Sequence, residues 1–292
     1  MANANATGEV PRLRVPASME QVLKLTRYQL REYLRSRRFV ALLAIVLAVG
    51  AILTLIVHHF QGSIVSTNVA FYGSLWGGGV ELPIILAAVF FGGDAIAGEF
   101  QNKTGYFLMG LPVRRSTVYV GKFIAAYLAS LAMILIFLAI LLANGAYYFG
   151  AAAVPWQLGP SLLLTLLYLA AALGATFLFS SLFKTSAYGF VLTAILFLFG
   201  FTLLQDVIVG LAKVEPWMII SYAETAIGSV FGTNVNWGLS GVETVITTPI
   251  GRMTVTSVSW TAGVAEAVVI MIVYFLGTAA AGLALFEREE FS

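Results

Sequence analysis

Six long apolar runs separated by short polar breaks order the chain, and each compares with the roughly 20 residues that cross about 30 Å of hydrocarbon. The first covers residues 39–57 and is unbroken by charge. The second covers about 80–97, with an apolar lead-in from Phe71, and carries Glu81 near its start. The third, 118–148, holds about thirty residues. At about 1.5 Å rise per residue it exceeds the hydrocarbon thickness and must tilt or project. Residues 160–183 and 187–204 form the fourth and fifth, with only Lys184, Thr185 and Ser186 between them, and the sixth runs over about 261–286. A backbone in hydrocarbon must satisfy its own hydrogen bonds, so each run reads as a helix.

The segments outside these runs carry different patterns. Residues 1–17 are small and polar, include Pro11 and Pro16, and lack a cleavable signal pattern, so they read as a flexible tail. Over 18–38 the pattern becomes amphipathic. Ser18 and Gln21 have capping-box spacing. Met19, Val22, Leu23, Leu30, Tyr33 and Leu34 can form one stripe, with Lys24, Arg27, Arg31 and Arg35 on another face. Such a helix suits an anionic membrane surface; the alternative is a plain basic stop beside the first span. Residues 211–260 form the one sizeable region outside the spans, rich in Gly, Thr, Ser and Val. They suit short helices, re-entrant pieces or a small hairpin.

Composition sharpens the class. The chain has 292 residues, 60% of them hydrophobic and 10% charged, against about 25% charged in soluble domains. It is a polytopic membrane protein by this measure. The absence of cysteine removes disulfides, thiolate metal sites and cysteine nucleophiles. A formal charge of +2 gives no argument for nucleic acid. Placement says more: with the N-terminus inside, fourteen of the 16 Lys and Arg fall on the cytoplasmic side and only Lys213 and Arg252 outside. The predicted fold is an all-α membrane protein. Six transmembrane helices (39–292) follow a cytoplasmic interfacial amphipathic helix (18–38), with both termini on the cytoplasmic side of the cell membrane.

The polar break from Gly92 to Lys122 holds two acids and four bases between the second and third spans. Glu99 and Lys103 have i, i+4 spacing in the favourable order. Gly105 and Gly110 allow a turn, and Pro112 ends a helix. The local reading is a short charged helix lying along the membrane, or simply a solvated loop.

The arrangement of Asp94, Ile96, Ala97, Glu99, Thr104-Gly105, then Leu111-Pro112-Val113-Arg114-Arg115 and Gly121-Lys122, resembles the ABC-2 type permease family, the membrane subunits of ATP-binding-cassette transporters. Arg114 stands where that family often has serine. The resemblance implies a coupling hairpin at about 94–117, with Asp94, Glu99, Lys103, Thr104, Gly105, Pro112, Arg114 and Arg115 serving ATPase coupling. It also implies two copies of a separate ABC ATPase that carry the ATP and Mg, a second permease half, most simply a second copy in a homodimer or else a different permease, and export across the membrane. This chain is then no enzyme and binds no cofactor itself: there is no phosphate-cradling G-x-x-x-x-G-K-[ST].

Other ionisable residues need separate readings. Glu81, after three glycines and before Pro83, is either a gate on the translocation pathway or a helix N-terminal acid welcomed by the dipole. Asp206 and Glu266 fall at span ends, where an interfacial position is expected. Adjacent His58 and His59 point apart on a helix and have no carboxylate nearby, so no metal site is expected. Two other classes remain as alternatives. An intramembrane enzyme would need a convergent catalytic set, and neither H-E-x-x-H nor G-x-S-x-G occurs. The second is a non-transporting membrane anchor that signals through an ATPase partner.

Overall fold

The computed structural model describes residues 18–59, 66–101, 113–150, 153–250 and 253–288. Helix α1 (Ser18–Arg35) and helix α2 (Arg37–His59) meet at a one-residue joint, Ser36. The Ser36 hydroxyl donates to the Tyr33 carbonyl (2.7 Å) and accepts the Phe39 N–H (3.1 Å), so one side chain closes α1 and caps α2. A 23-residue α2 reaches about 34 Å. It buries one narrow face, Leu42, Val46, Gly50 and Val57, while Leu47, Ile52 and Leu55 stay uncovered. Uncovered apolar side chains are the normal state of a helix whose solvent is lipid.

The second span is broken into pieces. Thr67 accepts the Ala70 N–H to start α3 (Asn68–Tyr72), a wide π-helical turn follows at Gly73–Gly77, and α4 (Glu81–Gly92) continues after a break. Residues 93–96 then bend into the short α5 (Ala97–Gln101). The whole stretch, Asn68–Glu99, reaches further toward the N-terminus than the apolar run at 80–97, and it is the most enclosed span. Its centre holds Trp76, stacked on Phe137 with ring centroids 6.2 Å apart.

Helix α6 (Arg115–Phe149) has 35 residues, about 52 Å, and overhangs a bilayer core. Helix α7 (Leu158–Leu182) packs along the last span, α11 (Val264–Arg288). The fifth span is α8 (Ser186–Ile195), a π-helical turn Leu196–Gly200, α9 (Phe201–Val207) and a second such turn, Ile208–Ala212. It therefore extends past the Leu204 limit of the apolar run. Lys213 stops it in the left-handed conformation (φ 51°). In all, six helices among the described residues are long and apolar enough to cross a membrane.

The region before the last span folds into a helix and a hairpin. Helix α10 (Ile220–Ser229) wedges among α7, α11 and the second span. Ser161 of α7 accepts the Trp76 indole N–H (3.0 Å) and donates to the Ile227 carbonyl (2.7 Å), joining three elements through one hydroxyl. Gly77 and Gly228 touch by backbone alone: a Cβ on Gly77 would sit 2.6 Å from the Gly228 Cα. Strands β1 (Val242–Ile250) and β2 (Met253–Thr261) pair antiparallel, from Val242 opposite Thr261 to Ile250 opposite Met253. The bundle thus has an α1 end, where α1, α5 and the start of α6 gather, and a hairpin end, where α10 and the two strands gather.

Candidate functional site

The bend at residues 91–101 is the point on which most elements of the α1 end converge. Two glycines allow it. A Cβ on Gly92 would lie 2.1 Å from the Thr176 Oγ1 of α7, and one on Gly93 would lie 3.1 Å from the Phe190 Cα of α8. The chain passes between two spans where no side chain fits.

Side chains from five helices then hold the polar groups of the bend. Tyr33 of α1 donates to the Phe91 carbonyl (3.1 Å), satisfying an acceptor at the end of α4. Arg38 of α2 pairs with Asp94. Lys122 of α6 donates to the Ala95 carbonyl (2.8 Å) and pairs with Glu99. Ser180 of α7 accepts both the Ile96 and Ala97 N–H groups at 3.0 Å, capping α5 from another helix. The Gln101 amide oxygen accepts the Ser186 N–H (2.8 Å) and hydroxyl (2.6 Å), which fastens α5 to the start of α8.

The two ion pairs differ in setting. Lys122 and Glu99 are both enclosed, with side-chain exposures of 9% and 15%, whereas Arg38 is 51% exposed over a 14% exposed Asp94. Enclosed ions are tolerated only when opposite charges and further hydrogen bonds replace water, and Lys122 has both. Burial pushes the Tyr33 phenol well above its ordinary range, with the Asp94 charge acting the same way, so it stays a donor.

The sequence-predicted residues separate accordingly. Asp94 and Glu99 turn inward to Arg38 and Lys122, and the Lys122 partner lies 23 positions from Glu99 in sequence. Lys103, Thr104, Gly105 and Pro112 lie outside the described residues. Arg114 is exposed just ahead of α6. Arg115 points back into the protein and donates to the Glu287 carbonyl (2.9 Å) and the Phe286 carbonyl (3.4 Å), near the end of α11. Glu81 is far away as the first residue of α4.

Sequence reading missed Tyr33, Arg38, Ser180 and Gln101, and saw Lys122 only as part of a motif. Lys122 had a usable signal, because a cation inside an apolar run needs a partner and Asp94 and Glu99 are the nearest acids on the preceding span. Ser180 had none, since its role depends on how α7 is rotated against the bend.

The hairpin end is built from acids facing acids. Burial and the Glu81 carboxylate together push the Glu224 carboxyl of α10 up to about 8. Nearby, Tyr222 points its hydroxyl at both Glu215 and Glu266. Glu215 also accepts the Gly241 N–H and Glu266 the Gly263 N–H, so these acids pin the two ends of the hairpin. Glu266, in the first turn of α11, is buried: its carboxylate accepts the Tyr222 hydroxyl of α10 and the Gly263 N–H just ahead of its own helix. His58 and His59 are exposed at the end of α2, and no group of three or more possible metal ligands occurs among the described residues.

The bend is thus tied to the first, third, fourth and fifth spans, at the base of the most enclosed one. The model for ABC-2 family transporter proteins matches residues 32–200, more than half of the sequence, and the chain belongs to that family. It is a multi-pass membrane permease component of a transporter. No curated protein matches it. The match contains the whole bend and ends before α10, so the hairpin end lies beyond it.

Proposed function

We propose that this chain is the permease subunit of an ATP-binding-cassette exporter, driven by a separate ATPase that binds the ATP and Mg. Two copies of the permease and two of the ATPase make the working unit. The termini are cytoplasmic, a reading supported by the fourteen-to-two division of Lys and Arg, and α1 lies on the inner membrane surface. The ATPase docks on the segment that bears Lys103, Thr104, Gly105 and Pro112, with exposed Arg114 at its edge. Asp94, Glu99 and Lys122 transmit rather than touch: they fix the bend, so displacement of the docked segment passes into the second span and its neighbours. The single observation behind this division is that the two acids are spent on internal partners while Arg114 faces outward.

The test is co-expression with the ATPase, followed by affinity capture, ATP hydrolysis and transport in vesicles. Arg114→Glu is expected to reduce ATPase recovery with an unchanged melting temperature. Glu99→Gln is expected to keep recovery while transport per ATP hydrolysed falls. If no ATPase is recruited by the unmodified chain, or if Glu99→Gln alone abolishes recruitment with the fold intact, the assignment of roles is wrong.

A further inference from the structure

A cavity of about 660 Å³ opens between α1, the α1–α2 joint and the bend. That volume falls in the range of about 300–1,000 Å³ typical of small-molecule sites. Its lining is charged on one side and apolar on the other. Asp94, Glu99 and Lys122 form an enclosed charged wall, Arg38, Glu32 and Gln29 line more open parts, and Leu25, Tyr28 and Val118 supply carbon surface.

The charges narrow the occupant. Asp94 and Glu99 are matched by Arg38 and Lys122, which leaves Glu32 as the extra charge of the lining. Glu32 is exposed, and Gln29 donates to it at 2.9 Å. The Arg38 side chain is half exposed. A guanidinium carries five N–H donors, and Asp94 engages one face of it. A half-open guanidinium and an exposed carboxylate on one rim suit a ligand with a phosphate and a primary ammonium a few atoms apart. A purely anionic group would meet a lining with one surplus negative charge.

Location selects the source. Helix α1 packs on α6 through Thr26, whose hydroxyl donates to the Gly121 carbonyl at 3.2 Å. Met19, Leu23 and Leu34, on the adjoining strip of the same helix, are 70%, 62% and 44% exposed. That apolar strip suits a helix lying in the interface, and Arg38, the second residue of α2, puts the cavity level with the end of the first span, at headgroup depth. We infer that this cavity holds the headgroup of a phosphatidylethanolamine lipid, its phosphate on Arg38 and its ammonium on Glu32. The inference rests on α1 lying in the membrane interface, part of the reading above, and on nothing about the ATPase.

The test uses the full chain in detergent micelles doped with phosphatidylethanolamine, phosphatidylcholine or phosphatidylglycerol, or with soluble phosphoethanolamine. Native mass spectrometry reads lipid retention, and melting temperature reads stabilisation. Phosphatidylethanolamine should be retained best. Glu32→Gln, at an exposed position, should erase its advantage over phosphatidylcholine, about a tenfold change for one hydrogen bond to a charged group. Equal retention of phosphatidylglycerol, an equal effect of soluble phosphoethanolamine, or an unaltered preference in Glu32→Gln would each overturn the proposal. A fluorophore at Leu23, quenched by brominated lipid, separates the two failures. A quenched probe without lipid preference refutes only the headgroup site, while an unquenched probe refutes the interfacial placement of α1.

Discussion

The two ends of this molecule treat buried charge in opposite ways. At the α1 end each enclosed acid meets a base, Asp94 with Arg38 and Glu99 with Lys122. At the hairpin end Glu224 meets Glu81, and Glu215 and Glu266 share the Tyr222 hydroxyl. Among the described residues the only lysine or arginine of the region before the last span is Lys213. Attraction across the bend makes it a joint that resists separation. At the other end the facing acids repel unless one of them holds a proton. The family match, residues 32–200, contains the bend and Glu81 but not Glu215, Glu224 or Glu266.

Breaking the Lys122–Glu99 pair is expected to have the largest effect. Lys122→Met leaves the Glu99 carboxylate enclosed without its lysine, at a loss of about 3–5 kcal/mol. The double variant Lys122→Met/Glu99→Leu should recover most of it, because matched apolar groups need no desolvation. Thermal unfolding of the single and double variants measures both, and a single variant as stable as the parent would remove the contrast between the ends.

A pH titration comes next. Glu224 is held protonated by burial and by Glu81 up to about 8, whereas the unfolded carboxyl ionises near its ordinary value of about 4.3. Between those values the native state binds the extra proton, so stability falls as pH rises and levels off above about pH 8. Glu224→Gln should flatten that slope, and Glu81→Gln should move its upper end to lower pH. Melting temperature against pH reads both, and a parent curve that is flat from pH 5 to pH 8 ( sets the sign) contradicts the acid–acid description.

The smallest expected effect concerns Arg115. Arg115→Gln removes a cation from the carbonyls at the end of α11, a loss of about 0.3–1 kcal/mol. Lost ATPase capture with an unchanged melting temperature would instead move Arg115 to the partner surface beside Arg114.

Much of the fold was legible because lipid imposes length. A helix must be apolar for about 20 residues to cross, and six such runs became six helices. The Thr- and Val-rich stretch after Gly241 became paired strands, as its pattern allowed. Pairing across the bundle was not legible. Local spacing offers Glu99 only Lys103, whereas the antiparallel return of α6 brings Lys122 onto the same carboxylate. The burial of Glu266 was not legible for the same reason, since the Tyr222 hydroxyl that meets its carboxylate lies 44 positions away in sequence. Ser180 serves two N–H groups of a helix over 80 residues away in sequence, a relation no periodicity encodes.

The crossing of Gly77 over Gly228 has a consequence for how this protein can drift over generations. The obstacle to a methyl group there is main chain, the Gly228 Cα at 2.6 Å, so no neighbouring side chain exists to trim in compensation. At Gly92 the obstacle is a threonine hydroxyl, and a second substitution at Thr176 could make room. The first crossing is therefore a locked door for single-step change, and the second has a key elsewhere in the gene.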